Sequence, residues 1–192
     1  MHELILGGQR SGKSRCAERR AAHWLAQPGR SAVLLATALA GDAEMVARIA
    51  QHRADRADIA TGIPDLDVVE VPRDLGLALR QHSAPQHLVL VDCLTLWLTN
   101  LLMPMQGAPL DAAGWAQAKR ALLDALEAVP GPVLLVSNEI GWGLSPMGAE
   151  ARHFVDELGR LHQWVAARCE RVTMMVAGIE WSVKSPGVRS VP

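Results

Sequence analysis

The stretch at residues 7–14, with the sequence GGQRSGKS, constrains the fold of this chain more than any other. It follows a short apolar run at residues 4–6 and precedes a segment at residues 15–22 that contains no helix breaker. A strand, a glycine-rich loop and a helix in this order form the context in which the pattern G-x-x-x-x-G-K-S binds phosphate. Successive backbone N–H groups converge on a polyphosphate, and the helix N-terminus adds positive potential. We therefore interpret this stretch as a phosphate-binding loop rather than an ordinary turn; its residues are Gly7, Gly8, Gln9, Arg10, Ser11, Gly12, Lys13 and Ser14.

The composition is typical of a globular protein, and the charge and the hydropathy argue against nucleic acid and the membrane as partners. With 192 residues, the chain suits a single domain spanning residues 1–192. Its net charge of −1 gives no electrostatic reason to expect a nucleic-acid partner. No apolar run approaches the length that crosses a bilayer, and the N-terminus leads into a strand rather than a signal peptide. We expect a cytoplasmic protein.

Three cysteines, Cys16, Cys93 and Cys169, are scattered along the chain without a C-x-x-C spacing. Their odd number argues against a disulfide framework, so we expect small residues in or near the core. No His/Cys cluster has the spacing of a structural zinc site. The only metal we predict is Mg²⁺, brought with a nucleotide, and we expect no tightly bound organic cofactor.

Apolar runs rich in β-branched residues recur along the chain and predict strands at residues 4–6, 32–36, 68–71, 88–91, 133–136 and 172–176. Each is short and nearly continuous, as in strands that are buried on both faces of a parallel sheet. The segments between them predict helices at residues 13–26, 43–54, 73–81, 112–128 and 149–168, and long loops at 54–67 and 103–111. The sequence thus predicts an α/β fold: a single P-loop NTPase-like domain with a mostly parallel sheet flanked by helices.

Asp92 follows the apolar run at residues 88–91, which is the form of a Walker B strand. At the carboxyl end of a parallel strand, its carboxylate would face the same crevice as the phosphate loop. There Asp92 can hold Mg²⁺ through a water molecule, and the Ser14 hydroxyl can ligate the same ion. Taken alone, an Asp after a strand is also typical of a helix cap.

A histidine among arginines, at residues 48–56, narrows the function further. Neutral imidazole of His52 can attack phosphorus while Arg48, Arg53 and Arg56 hold phosphate oxygens. Spacing alone, however, favours an exposed helix that carries an incidental histidine.

The sequence resembles the bifunctional adenosylcobinamide kinase/adenosylcobinamide-phosphate guanylyltransferase family of cobalamin biosynthesis. Five segments carry this resemblance in order: GGQRSGKS at 7–14, ATA at 36–38, RIAQHRADR at 48–56, DCLTLWLTN at 92–100, and SNEIGWG at 137–143 followed by Pro146, Arg152, Phe154, Asp156 and Gly159. The chain departs from the family pattern at Leu66, Ala57 and His162, where Trp, Pro and commonly Asn are found, and its loop at 57–67 is longer.

The resemblance implies that the family's two chemistries are shared by this chain. A nucleoside triphosphate, ATP or GTP, phosphorylates adenosylcobinamide; GTP then guanylylates His52, and GMP passes to the substrate phosphate to give adenosylcobinamide-GDP. It further implies that Glu70 contacts guanine, that the chain forms a homo-oligomer, a trimer, and that nucleotide is bound by Ala36, Thr37, Ala38, Arg53, Ala54, Asp55 and Arg56.

Two other functions fit the phosphate loop alone. One is a simple P-loop kinase of a small alcohol, in which His52 has no role. The other is a nucleotide-dependent switch or binding protein, in which Lys13 and Asp92 hold a nucleotide only to change the affinity for a partner. Neither requires the His-Arg-x-x-Arg cluster, which therefore discriminates among the three. At Asn138 and Glu139, a strand-end turn and a ligand contact remain equally compatible with the sequence.

Overall fold

Apolar runs form strands at all six positions that the sequence predicts, and a computed structural model describes them within residues 1–39 and 66–187. The strands are β1 (His2–Gly7), β2 (Ser31–Ala36), β3 (Asp67–Glu70), β4 (His87–Asp92), β5 (Val133–Asn138), β6 (Arg171–Val176) and β7 (Ile179–Lys184). The helices are α1 (Lys13–Leu25), α2 (Leu75–His82), α3 (Leu94–Leu102), α4 (Ala112–Ala128) and α5 (Ala149–Arg168). The predicted helix at 43–54 lies outside the described residues.

The seven strands form one sheet in the order β3-β2-β4-β5-β1-β6-β7. All neighbouring strands run parallel except β7, which pairs antiparallel with β6. β1 lies between β5 and β6, with Gly7 in register with Asn138 on one side and Met175 on the other. Because parallel strands end at the same edge, the segments after β1, β2, β4 and β5 all begin there.

Helices cover both faces of this sheet, which confirms the predicted α/β fold. Helix α1 packs on one face, where Ala17 and Ala21 meet strand side chains such as Ile5, Leu34 and Leu90. The other four helices pack on the opposite face, over Leu4, Leu35, Val91 and Leu135. Strands covered on both faces need apolar side chains at nearly every position, which explains the continuous runs in the sequence.

Two elements were not predicted. Helix α3 follows β4 directly and has the sequence LTLWLTNLL, most of whose apolar side chains are buried. The sequence therefore lacks the alternation of apolar and polar faces by which a helix is recognised. Strand β7 is mostly exposed, and its sequence IEWSVK alternates apolar and polar residues with the period of two that a partly solvated strand requires. β7 adds an antiparallel edge to an otherwise parallel sheet. Among the residues described, no helix has both the length and the apolar character needed to cross a membrane.

A charged cluster holds the β6–β7 hairpin against α1. The buried Glu3 carboxylate accepts hydrogen bonds from Thr173 Oγ1 at 2.8 Å and from Arg20 Nε at 3.3 Å. Arg20 and Arg19 each donate to one oxygen of Glu180 at 2.6 Å. A buried carboxylate is tolerated only when such partners replace water. The cluster therefore joins β1, β6, β7 and the outer side of α1.

All three cysteines are buried, as the sequence predicts. Burial raises the pKa of the Cys16 and Cys93 thiols to about 11 and that of the Cys169 thiol to about 12. Thiols with such pKa values carry little thiolate near neutral pH, so these residues contribute packing rather than reactivity.

Two helical glycines test the packing of α2 on α4. A Cβ atom at Gly76 would lie 2.5 Å from the Ala121 carbonyl oxygen, whereas a Cβ atom at Gly159 in α5 would meet nothing within 4 Å. We expect Gly76→Ala to lower the free energy of unfolding by ~1–3 kcal/mol, since the helices must separate. Gly159→Ala should raise it by ~0.5–1 kcal/mol through helix propensity. Chemical denaturation measures both, and a stable Gly76→Ala protein would contradict the described contact.

Candidate active site

The loop between β1 and α1 curls because three of its residues adopt unusual backbone angles. Gly12 caps α1 in the left-handed conformation with φ 99°, and Arg10 also has a positive φ of 55°. At Gly7 a Cβ atom would lie 2.5 Å from the Met175 carbonyl oxygen and 2.6 Å from Ser11 Oγ. Glycine is therefore required at Gly7 by the close approach of β6, and at Gly12 by the turn into α1.

Lys13 folds back over this loop. Its Nζ donates to the Gly8 carbonyl oxygen at 2.5 Å and lies 3.5 Å from Ser11 Oγ. Burial lowers the pKa of Lys13, while the nearby Cys93 and Asp92 groups act in the opposite direction and raise it. The loop, its lysine and the end of β4 thus share one electrostatic environment.

The register of the strands places two predicted carboxylates at one level. Glu70 ends β3 and Asp92 ends β4, and both are in register with Ala36 between them. Leu34 and Leu90 lie two residues earlier and pack with the α1 face, so the period of two directs Ala36, Asp92 and Glu70 to that same face. Both carboxylates therefore lie on the side of the sheet from which the phosphate loop and α1 emerge.

Thr37 joins the ends of β2 and β4. Its buried hydroxyl donates to the Cys93 carbonyl oxygen and accepts the Cys93 N–H, both at 2.8 Å, and its own N–H donates to the Asp92 carbonyl oxygen at 2.9 Å. The hydroxyl is thus hydrogen-bonded to the backbone directly after β4. Of the predicted nucleotide-binding residues Ala36, Thr37 and Ala38, Thr37 contributes to the site by fixing the backbone at Asp92.

Helix α3, which itself follows β4, makes hydrogen bonds at or just after the ends of three other strands, β2, β3 and β5. Asn100 Nδ2 donates to the carbonyl oxygens of Thr37 at 2.7 Å and Pro72 at 3.0 Å, and Trp97 Nε1 donates to the Arg73 carbonyl oxygen at 2.6 Å. Thr95 Oγ1 accepts the backbone N–H of Asn138 at 2.8 Å, at the end of β5. The polar residues of the stretch DCLTLWLTN therefore have structural partners around the site.

A second polar cluster consists of Ser137, Glu139 and His162. Ser137 and His162 were not predicted as site residues, and for Glu139 the sequence left a strand-end turn and a ligand contact open. His162 lies in α5 with 6% of its surface exposed, and its Nε2 is 2.8 Å from Ser137 Oγ. His162 Nδ1 lies 3.6 Å from Glu139 Oε2. The sequence signal for this cluster is a histidine within the buried stripe of α5, between Leu158 and Val165.

Arginines line a cavity of about 350 Å³ beside the loop. Arg10 comes from the loop and Arg15 and Arg19 from the first half of α1, while Met175 and the β6–β7 turn form the opposite wall. Arg19 is paired with Glu180. Arg15 and Arg19 therefore lie beside the phosphate loop, whereas Arg20 is bound to Glu3 and Glu180.

A magnesium ion fits the residues at this edge. Mg²⁺ prefers oxygen ligands and usually takes one or two from the protein, with phosphate and water supplying the others. Ser14 lies in the first turn of α1, directly after Lys13. Asp92 lies close enough to Lys13 to oppose the lowering of the Lys13 pKa by burial. Within the described ranges no three His, Cys, Asp or Glu side chains form a complete metal site. The donor set therefore matches an ion that is shared with a nucleotide.

The histidine–arginine cluster lies outside the described residues. This applies to the predicted nucleophile His52 and to the predicted nucleotide-binding residues Arg53, Ala54, Asp55 and Arg56. The described part of the site consists of the phosphate loop and the ends of β2, β3, β4 and β5.

Comparison with known proteins agrees with this arrangement. A family model described as cobinamide kinase / cobinamide phosphate guanyltransferase matches residues 3–183. The bifunctional adenosylcobalamin biosynthesis protein CobP of Pseudomonas aeruginosa is 47% identical over 184 residues, which cover 96% of this chain and 98% of that protein. The bifunctional adenosylcobalamin biosynthesis proteins CobU of Salmonella typhimurium and Escherichia coli are 34% and 35% identical over 190 residues, which cover 94% of this chain and 98% of each relative. With its phosphate loop in place and the match extending over nearly its whole length, the chain belongs to the cobinamide kinase / cobinamide phosphate guanyltransferase family.

Proposed function

We propose that this chain catalyses both reactions of its family in cobalamin biosynthesis. It phosphorylates the hydroxyl of the aminopropanol arm of adenosylcobinamide and then transfers GMP from GTP to the resulting phosphate. The observation that carries the proposal is the phosphate loop with Lys13 folded into it, on the same side of the sheet as Asp92 and Glu70. One edge of the sheet thus offers groups that can bind the phosphates, the metal ion and the guanine base of a nucleotide.

In the kinase step, the loop N–H groups and Lys13 hold the β and γ phosphates of ATP or GTP. The substrate hydroxyl oxygen attacks the γ-phosphorus, the bond to the bridging oxygen breaks, and a nucleoside diphosphate leaves. Ser14 and Asp92 would hold Mg²⁺, which neutralises phosphate charge when bound. The protein contributes mainly position and electrostatics, which suits a rigid loop fixed by Gly7 and Gly12.

In the transferase step, His52 attacks the α-phosphorus of GTP and pyrophosphate leaves. The phosphate of the phosphorylated substrate then attacks the phosphorus of the guanylyl-histidine, and the P–N bond breaks to release adenosylcobinamide-GDP and free His52. Arg53 and Arg56 hold phosphate oxygens. A covalent intermediate divides one difficult substitution into two easier ones.

Glu70 is the proposed guanine contact. Its carboxylate accepts hydrogen bonds from the N1–H and the amino group of guanine, which adenine does not present in that pattern. Its strand β3 lies at the sheet edge opposite to β7, and the Glu70 side chain is exposed on the α1 face. The homotrimer and the cytoplasmic location remain predictions.

Substitution of Lys13 tests the phosphate loop. We expect Lys13→Ala to lower kcat for phosphoryl transfer on the order of 10²–10³-fold, as loss of one preorganised charge-stabilising group does. Lys119→Ala is the matched control, because Lys119 stacks over Trp164 and not at the strand ends. Kinase assays with melting curves measure both variants. Full turnover in the Lys13→Ala protein would refute the loop assignment, and an unfolded protein would indicate a structural role instead.

Substitution of Glu70 tests the guanine contact. Glu70→Gln replaces an acceptor by a donor that faces the guanine N1–H and amino group, so the preference for GTP over ATP should fall by ~1.5–3 kcal/mol. Asp67→Asn removes a charge from the exposed start of the same strand and should leave the preference unchanged. Competition between the two nucleotides measures the ratio, and an unaltered ratio in Glu70→Gln would place guanine elsewhere.

Substitution of His52 separates the two reactions. With GTP labelled at the α-phosphorus, the wild type should acquire a covalent label that is lost in acid and retained in alkali, as a phosphoramidate is. His52→Ala should abolish labelling and guanylyl transfer, while phosphorylation of adenosylcobinamide persists because it uses other groups. His153→Ala, at an exposed histidine of α5, should keep the label. Arg53→Ala and Arg56→Ala should only slow labelling.

Three outcomes would change the proposal. A label retained by His52→Ala would assign the nucleophile to another residue. A wild type that phosphorylates its substrate without becoming labelled would support the simple P-loop kinase instead. A protein that binds nucleotide but catalyses neither reaction would support the nucleotide-dependent switch.

A further inference from the structure

Glu139 lies next to the phosphate loop, immediately after β5. Its backbone N–H donates to the Gly7 carbonyl oxygen at 2.9 Å, and the preceding residue, Asn138, is in register with Gly7. The Glu139 side chain is 18% exposed, so its carboxylate is sheltered yet open to a ligand at the strand ends. The two reactions described above assign no role to it.

A chain of buried hydroxyl groups leads to the histidine behind Glu139. The Asn138 backbone N–H donates to Thr95 Oγ1 at 2.8 Å, which fixes the direction of this first bond. Thr95 Oγ1 lies 3.0 Å from Ser137 Oγ, and Ser137 Oγ lies 2.8 Å from His162 Nε2. Each hydroxyl has one proton, and the Glu139 carboxylate that faces His162 Nδ1 can only accept. This carboxylate favours the ring tautomer in which Nε2 accepts from Ser137 and Ser137 accepts from Thr95.

The proton of the neutral imidazole is then on Nδ1, which faces Glu139. His162 Nδ1 lies 3.6 Å from Glu139 Oε2 and is a buried atom without a hydrogen-bond partner within the described ranges. The other oxygen, Oε1, accepts the Gly141 N–H at 2.7 Å. Burial lowers the pKa of His162, against the opposite effect of Glu139, and so favours the neutral ring. Both oxygens of the carboxylate thus face a donor on the protein side.

We infer that Glu139 is the base that takes the proton of the substrate hydroxyl in the kinase step, and that His162 is a positioning residue for its carboxylate. The inference rests on the proposed kinase activity. As the hydroxyl oxygen bonds to the γ-phosphorus, its proton passes to Glu139, and the electron pair of the broken P–O bond leaves with the nucleoside diphosphate. Glu139 releases the proton to water after product leaves. A carboxylate that accepts the Gly141 N–H through Oε1 and faces the His162 ring through Oε2 keeps further lone pairs for the proton of the substrate hydroxyl.

The neighbouring groups are less suited to this task. Asp92 shares the electrostatic environment of Lys13 and already has a proposed role as the metal ligand. Asn138 has no basic group. Glu139 directly follows β5, the strand that lies between β4 and β1, and therefore between Asp92 and the loop. Its position along the sheet thus lies between the two halves of the phosphate site.

The first test removes the base but keeps the hydrogen bond to Gly141. Glu139→Gln keeps an oxygen for the Gly141 N–H, and kcat for phosphorylation should fall by ~10²–10⁴-fold, as loss of a general base does. KM for ATP and the labelling of His52 by GTP should stay unchanged, because neither uses this proton. Glu150→Gln, at an exposed glutamate in the first turn of α5, is the control and should leave both reactions unchanged.

The second test separates positioning from packing at His162. Asn places a donor near the position of Nδ1, whereas Gln places its amide near the position of Nε2 and leaves Glu139 without a donor. We expect His162→Asn to keep kcat within roughly threefold of the wild type and His162→Gln to lose ~10²-fold, the cost of a misplaced catalytic group. Melting temperatures of the two variants check that stability does not explain the difference.

The outcomes distinguish this inference from the proposed function. Full kinase turnover in Glu139→Gln, with an active wild type, overturns the base and leaves the proposed function intact. Equal losses in His162→Asn and His162→Gln overturn the positioning role. A wild type that does not phosphorylate adenosylcobinamide overturns the kinase proposal and this inference together.

Discussion

The site depends on the insertion of β1 between β5 and β6. This parallel pairing brings Gly7 into register with both Asn138 and Met175, so the phosphate loop begins where two other strands end. The fit is close enough that only glycine is accepted at Gly7. A register slip of one residue would exchange the two faces of a strand and separate the loop from its neighbours. The geometry of phosphate binding is therefore decided by strand pairing before any ligand arrives.

Small hydroxyl residues maintain this edge. Thr37 ties β2 to β4, and Thr95 with Ser137 ties α3 to β5, all through buried hydrogen bonds. Each such bond contributes only about 1 kcal/mol on average, but leaving a buried partner unsatisfied costs ~1–3 kcal/mol, so the network resists the loss of any member. Helix α3 is the common element. Its polar side chains form hydrogen bonds with backbone groups at the strand ends, and these bonds keep the loops around the site in one arrangement.

The sequence was sufficient for the parts of the fold that repeat a simple period. Continuous apolar runs predicted six strands, and the GGQRSGKS stretch predicted the loop between β1 and α1. Helix α3 was missed because burial on nearly all sides removes the contrast between faces, and β7 because a single short alternating strand is easily taken for a turn. The contact of His162 with Ser137 joins residues 25 positions apart. Such pairs depend on how α5 lies against the sheet, which no local pattern encodes.

The distribution of aromatic side chains gives this enzyme family member an internal optical reporter. The chain has six tryptophans, one phenylalanine and no tyrosine, so absorption near 280 nm and intrinsic fluorescence arise from indole alone. Trp97 and Trp115 are sealed in the core with ring centroids 5.8 Å apart, whereas Trp142 is 72% exposed, three residues after Glu139. Core indoles emit at shorter wavelengths and report unfolding. Trp142 and Trp181, which are 72% and 59% exposed, are accessible to a collisional quencher and report what covers these two surfaces in the native protein.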